Sequence, residues 1–146
     1  MSDSKYDALK LEKQLCFPLY AASREMIKLY RPHLDGLNLT YTQYFAMMVL
    51  WEKGTVSARE LGSKLYLDSG TLTPVLKSLE NKGFVRRERS AEDERVLLVS
   101  TTPEGEALKE RALHVPEKMC ECVNLEREEI RELYRMLYKL LEIVEH

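Results

Sequence analysis

Cys16 is the residue best placed to do chemistry. It stands in Gln14-Leu-Cys-Phe-Pro18, where Phe17 is biased away from helical geometry by the proline behind it and Pro18 suits the first turn of a helix. A helix that begins or restarts there holds the sulfur at its positive end. That favours the thiolate, the nucleophilic form of cysteine. Between Leu15 and Phe17 the same thiol would also suit an inert place in a core. The other cysteines are Cys120 and Cys122; two apart on a helix, they point to nearly opposite faces and are poor partners for each other. Either could meet Cys16 across a dimer as a resolving thiol, if the Cα atoms come within about 7 Å; the alternative is a sulfenic acid on Cys16 capped by a small thiol. A metal site of His114, Cys120 and Cys122 is disfavoured because the ligands diverge on a helix, and neither metal nor cofactor is expected.

A second constellation runs from Asp68 to Lys82, Asp-Ser-Gly-Thr-Leu-Thr-Pro-Val-Leu-Lys-Ser-Leu-Glu-Asn-Lys. Asp68 can cap a helix that turns Leu72, Val75, Leu76 and Leu79 inward. The opposite face then carries Ser69, Gly70, Thr71, Thr73, Pro74 and Lys77, small and polar groups of the kind a recognition helix offers to a DNA major groove. Pro74 either kinks this helix or delays its start to Thr73, and the earlier start is preferred. Arg86 lies on the strand that follows. Arg95, beside Asp93, could be held by that carboxylate and inserted in a minor groove; a solvated hairpin with a surface ion pair is the plainer reading.

The elements that must position these groups follow from periodicity. Ser57-Ala-Arg-Glu60 is a capping box opening a short helix with Ala58, Leu61 and Leu65 inward. With the Asp68 helix and a hairpin built from Phe84–Arg89 and Arg95–Ser100, it makes a winged helix-turn-helix. Residues 5–31 carry one long helix or two, with Ala8, Leu11, Leu15, Leu19, Ala22, Met26 and Leu29 as an apolar stripe. Thr40-Tyr-Thr-Gln43 caps a helix over 40–53 that has almost no polar face and belongs in the centre. Thr102-Pro103 starts a fifth helix with Leu108, Ala112, Val115, Met119 and Val123 inward and a kink at Pro116. Asn124 caps a last helix whose Ile130, Leu133, Leu137, Leu140 and Val144 form a short heptad seam. That strip has little left in one chain to cover it, so a homodimer through the two chain ends is expected.

Composition allows this and advertises nothing. The 146 residues suit one domain, and the net charge is −2. Residues 64–100 carry seven Lys/Arg against six Asp/Glu, so any nucleic-acid affinity must come from local placement rather than bulk charge. No run approaches the ~20 apolar residues of a membrane span, and Met-Ser-Asp-Ser-Lys-Tyr-Asp lacks the core of a signal peptide. A cytoplasmic protein with free thiols is expected.

Taken together, the helix pair, the Lys-Gly-Phe-Val strand at 82–85, Asp-Glu-Arg at 93–95 and Thr-Pro-Glu-Gly at 102–105 resemble the MarR family of dimeric bacterial transcription regulators. Gln14-Leu-Cys-Phe17, Tyr20-Ala-Ala-Ser-Arg-Glu25, Tyr30 and Leu39-Thr-Tyr-Thr-Gln-Tyr44 resemble its organic-hydroperoxide-sensing branch. The resemblance covers nearly the whole chain. It implies a single domain over 1–146, with dimerisation helices in 1–39 and 102–146 around a DNA-binding lobe at 40–101. It further implies that Cys16 is a peroxide sensor, hydrogen-bonded by Tyr30 and Tyr41 of the partner subunit, and that some members close an intersubunit disulfide. The expected function is non-enzymatic: the reduced homodimer binds a pseudo-palindromic double-stranded operator and releases it when an organic hydroperoxide oxidises Cys16. Leu15, Phe17, Leu19 and Met48 would give the peroxide an apolar pocket. A MarR regulator answering to a small aromatic acid, and more remotely a thiol peroxidase, are the competing classes.

Overall fold

The computed structural model describes residues 4–145. The opening Met-Ser-Asp of the stretch read as lacking a signal sequence, and His146, lie outside them. The elements run α1 (Cys16–Asp35), α2 (Tyr41–Lys53), β1 (Thr55–Ser57), α3 (Ala58–Leu65), α4 (Ser69–Asn81), β2 (Val85–Arg89), β3 (Leu97–Thr101), α5 (Pro103–Ala112), α6 (His114–Cys122) and α7 (Arg127–Val144). The fold is a winged helix-turn-helix, mainly α, with helices from both ends of the chain stacked on it.

Caps explain most of the helix starts. Thr40 and Gln43 exchange both bonds of a capping box on α2. Ser57 accepts from Glu60 N–H on α3, Asp68 from Thr71 N–H on α4 at 2.7 Å, and Thr102 from Gly105 N–H on α5. Between α3 and α4 the turn is tight: a Cβ on Gly62 would sit 2.8 Å from the Leu67 carbonyl oxygen, and Tyr66 takes a left-handed φ of 56°. The core gathers Leu34 and Leu37 with Ala46, Met47 and Leu50 of α2, Leu61 of α3, Leu72, Leu76 and Leu79 of α4, and Val99 of the sheet. Central burial of α2 is as the sequence requires.

Four expectations are corrected. The first helix does not span 5–31: the chain makes two 3-10 turns, Asp7–Leu9 and Leu11–Lys13, before α1 opens at Cys16. Local side chains close that segment on itself, since the Gln14 amide donates to the Ala8 and Lys10 carbonyls and Asp7 pairs with Lys10 and Lys13. At its other end α1 continues through Pro32, giving up one helical bond so that Leu34 reaches the core. The fifth helix breaks at Leu113, ahead of Pro116. A proline crowds the carbonyl four residues back, so the break falls one turn earlier than the proline itself. Glu126, boxed with Glu129, caps α7 in place of Asn124. Lastly, the hairpin gains a third strand: β1 pairs antiparallel with β3, Val56 opposite Val99, making β3 central in the order β1-β3-β2. Three residues are too few to show alternation in sequence.

No described residue of α7 is buried, although Ile130, Leu133, Tyr134 and Tyr138 are large and apolar or aromatic. Such a face on a helix that packs on so little of its own chain is what an intermolecular contact leaves behind. None of the helices among the described residues is long and apolar enough to cross a membrane.

Candidate redox sensor and nucleic-acid interface

Cys16 is the first residue of α1 and is exposed. Its sulfur therefore stands at the positive end of a 20-residue helix. That helix opens two residues ahead of Pro18 and takes in Phe17, against the bias expected there, because a proline in the first turn costs no intrahelical bond. Around it Leu15, Phe17 and Leu19 are also exposed, and so is Met48 on α2. One chain does not wall these residues into the expected pocket; a second surface is needed to close it.

Tyr30 and Tyr41 come together from different helices. Their ring centroids are 4.9 Å apart, Tyr41 packs on Phe45 at 4.5 Å, and Tyr44 lies 6.0 Å from Tyr30. Burial pushes the pKa of all three phenols up, with a charge on Cys120 adding to the effect at Tyr30. They are hydrogen-bond donors throughout the physiological range. They are not, however, donors to Cys16 of their own chain. Cys16 and Tyr30 share the continuous helix α1, and at about 1.5 Å of rise per residue the 14 steps from one to the other set them about 21 Å apart along its axis.

Cys120 and Cys122, both exposed, end α6. Helix α6 packs on α1, and a charge on Cys120 would add to the raised pKa of Tyr30. His114 turns its Nδ1 to the Arg111 carbonyl and its ring edge to His33, 6.5 Å between centroids. Among the described residues, no three metal-ligating side chains converge.

The candidate nucleic-acid face has the buried and exposed sides that the sequence suggests. Leu72, Leu76 and Leu79 are buried and Val75 half-buried, while Ser69, Gly70, Thr71, Thr73, Pro74 and Lys77 are exposed on the other side of α4. The helix starts early, with Asp68 as its cap and Pro74 inside it. Asp68 is held below the usual carboxylate range by the Thr71 N–H it accepts from. Arg86 is exposed on β2. At the wing tip Asp93 accepts three bonds from Arg95, from the backbone N–H at 3.0 Å, Nε at 3.0 Å and Nη2 at 3.2 Å. The arginine side chain is nonetheless 90% exposed, so it projects from the wing in a fixed direction.

Two features escaped the sequence. Arg87 donates from its backbone N–H and Nη2 to Glu80, tying the wing to the recognition helix. Gln43, the one buried polar side chain among the described residues, bonds to Ser78 and Lys82 on α4. Neither pair has a spacing that sequence periodicity can detect.

The family model described as transcriptional regulator SarA/Rot matches residues 28–112. The chain is 50% identical over 140 residues to the organic hydroperoxide resistance transcriptional regulator of Bacillus subtilis (strain 168), covering 96% of this chain and 95% of that one. The chain belongs to the MarR family of transcription regulators, in the organic-hydroperoxide branch. Solved MarR-type structures agree. Reduced AbfR of Staphylococcus epidermidis bound to DNA superposes with a TM-score of 0.78 at 34% identity, covering 98% of this chain and all 100% of that one. AbfR in its disulfide form scores 0.65 at 35% identity over 94% of this chain and 96% of that one. A MarR mutant of E. coli complexed with operator DNA scores 0.78 at 26% identity over 96% and 99% of the two chains.

Proposed function

We propose that this MarR-family protein is a cytoplasmic, homodimeric transcription regulator, a repressor, that holds operator DNA while Cys16 is reduced and releases it when an organic hydroperoxide oxidises that sulfur. The observation that carries the reading is the ~21 Å of helix between Cys16 and Tyr30, which lets the thiol meet the Tyr30–Tyr41 pair only across a dimer. A sensor assembled from two subunits has a mechanical consequence, because any change at the sulfur is felt at the interface. The bare face of α7 and the exposed apolar start of α1 supply that interface.

Each step balances. The Cys16 thiolate attacks the outer peroxide oxygen; an S–O bond forms, the O–O bond breaks, and the sulfur gives up two electrons. The alkoxide takes a proton and leaves as an alcohol. Tyr30 and Tyr41 of the partner subunit donate hydrogen bonds that steady the thiolate beforehand. The thiol of Cys120 then attacks the sulfenic sulfur, closing a disulfide and expelling water. Cys120 is taken ahead of Cys122 because its charge bears on Tyr30, whose helix α1 packs against α6. The chain is a sensor that is consumed once per signal, not an enzyme.

DNA is gripped by Ser69, Gly70, Thr71, Thr73 and Lys77 in the major groove, with Pro74 setting the local backbone and Arg86 on the phosphates. Arg95, aimed by Asp93, enters the minor groove. The lobe at 40–101 moves as the dimerisation helices in 1–39 and 102–146 repack.

The test is release of an operator recovered by selection from random duplexes. Wild-type protein should bind it and let go on treatment with cumene hydroperoxide; Cys16→Ser should bind and hold. A serine variant that still releases would remove Cys16 from the mechanism. The same assay with an aromatic acid in excess reductant checks the rival trigger, for which the cavity of about 310 Å³ beside Arg31, Asp35 and Tyr41 offers room.

A further inference from the structure

Between the tyrosine pair and the recognition helix lies a polar junction with no part in binding either DNA or peroxide. Gln43 is 4% exposed and stands two residues after Tyr41 in the first turn of α2. Its Oε1 accepts from the Thr40 N–H at 3.1 Å and from Lys82 Nζ at 2.8 Å; its Nε2 donates to Ser78 Oγ at 2.8 Å. Both neighbours of Oε1 are donors, which fixes which end of the amide is oxygen. Lys82 Nζ also donates to the Asn38 carbonyl at 2.8 Å, in the corner between α1 and α2 where Asn38 takes a left-handed φ of 56°. Ser78 is in the last turn of α4 and Lys82 is its C-cap. One buried amide thus joins the start of α2 to the end of α4, and through Lys82 to the corner that follows α1.

Beside it, Ala46, Met47 and Leu50 of α2 and Leu72, Leu76 and Leu79 of α4 belong to one buried apolar cluster. Methyl groups slide past one another with little directional preference, whereas hydrogen bonds weaken steeply as they bend. A tilt in the first turn of α2 can therefore be absorbed by the leucines but not by Gln43. If Lys82 turns to water it gives up its bonds to the Asn38 carbonyl and to Gln43 Oε1, and the buried amide oxygen keeps only the Thr40 N–H.

We propose that Gln43 is a positioning residue: it converts displacement of Tyr41 into rotation of α4, and so carries the oxidation signal from the dimer interface to the DNA. This rests on the reading of Cys16 as the sensor. Tyr41 opens the turn that Gln43 closes, so loss of the phenol's bond to sulfur moves both together. The amide then drags the C-terminal end of α4, and the groove-facing N-terminal end swings at the far end of the lever.

The experiment measures operator Kd by fluorescence anisotropy for the reduced and the cumene-hydroperoxide-treated dimer, and the fraction of Cys16 oxidised by mass spectrometry. In Gln43→Met, of similar volume and without polar atoms, Cys16 should oxidise at the wild-type rate while the ratio of the two Kd values falls by about tenfold, the scale of an ordinary coupling energy. Gln43→Glu keeps the acceptor for Thr40 and Lys82 and should restore most of the ratio. Should Gln43→Met fold poorly, Lys82→Met removes only the bonds to Asn38 and Gln43 and should lower the ratio in the same direction. An unchanged ratio in whichever of these two methionine variants is folded overturns the proposal. If the wild-type dimer itself stays on DNA with Cys16 demonstrably oxidised, it is the sensor reading that fails, and this inference with it.

Discussion

Cys120 is carried by α6, which packs against the α1 that bears Tyr30, and a charge on its sulfur would add to the burial that raises the phenol's pKa. The two residues reach that spot from opposite ends of the chain, α6 and α1. Because a partner's Cys16 is proposed to dock on the Tyr30–Tyr41 pair, the Cys120 that waits there belongs to the subunit supplying the tyrosines. On that proposal the disulfide would be intersubunit. After one equivalent of cumene hydroperoxide, a non-reducing gel should show a cross-linked dimer for wild type and Cys122→Ser, and none for Cys120→Ser. A cross-link that vanishes with Cys122 instead would reassign the resolving thiol.

The tyrosine pair separates chemistry from packing. Tyr41→Phe keeps the ring against Tyr30 and Phe45 and removes only the hydroxyl. With a charge-assisted bond worth roughly 1.5–3 kcal/mol, oxidation of Cys16 should slow by about tenfold or more while reduced operator affinity holds. The pH dependence has a definite sign. Burial raises the folded pKa of Tyr30, Tyr41 and Tyr44, so the unfolded chain ionises first. Their contribution to stability is complete below about pH 10 and is lost as pH rises beyond it. The thermal midpoint should begin to fall there for wild type and less steeply for Tyr41→Phe, and a midpoint that rises would contradict the burial seen at these rings.

Much of this was legible in sequence because it is local. Caps at Thr40, Ser57, Asp68 and Thr102 are read from one residue and its third neighbour, and the leucine face of α4 from its period. What the sequence hid depends on competition or distance. Gln14 folding back on Ala8 and Lys10 outcompetes the helix that the stripe from Ala8 to Leu29 implies. The break at Leu113 obeys a clash with a backbone carbonyl, which moves it one turn ahead of the proline that causes it. Gln43 meets Lys82 across 39 residues, a relation with no periodic trace. Cys16 and Tyr30 are the opposite case: their spacing was visible, yet its meaning appears only once one unbroken helix is known to join them.

At Gly105 the first turn of α5 packs against Phe84, just ahead of β2, and against Met47 of α2. A Cβ there would run into the Phe84 carbonyl oxygen and lie 3.4 Å from the Met47 methyl. The Gly105 carbonyl is also the acceptor for Trp51 Nε1 at 2.9 Å, so α5 cannot withdraw without breaking that bond. Gly105→Ala should therefore cost about 1–3 kcal/mol or more, as overpacking of a tight backbone contact does. Chemical denaturation would show it as a lower midpoint with an unchanged slope. Equal stability of the alanine variant would mean that α5 sits farther from β2 than the Phe84 contact indicates.

Arg95 distinguishes a binding group from a stabilising one. Its ion pair with Asp93 is on the surface, where such pairs contribute little to folding. What Asp93 does is restrict direction: with three bonds to one residue, the guanidinium is held away from the wing instead of sampling its rotamers. An arginine organised in advance has less freedom to lose on entering a minor groove. Arg95→Ala should leave the thermal midpoint and the rate of Cys16 oxidation where they are, weaken operator binding by about tenfold, and reduce the slope of log K against log salt by about one per subunit if a phosphate is also met. Asp93→Asn keeps one acceptor oxygen but gives up the charge, so it should fall between the two in affinity. If Arg95→Ala binds the operator as wild type does, the wing does not touch the groove, and α4 with Arg86 must account for the whole of the grip.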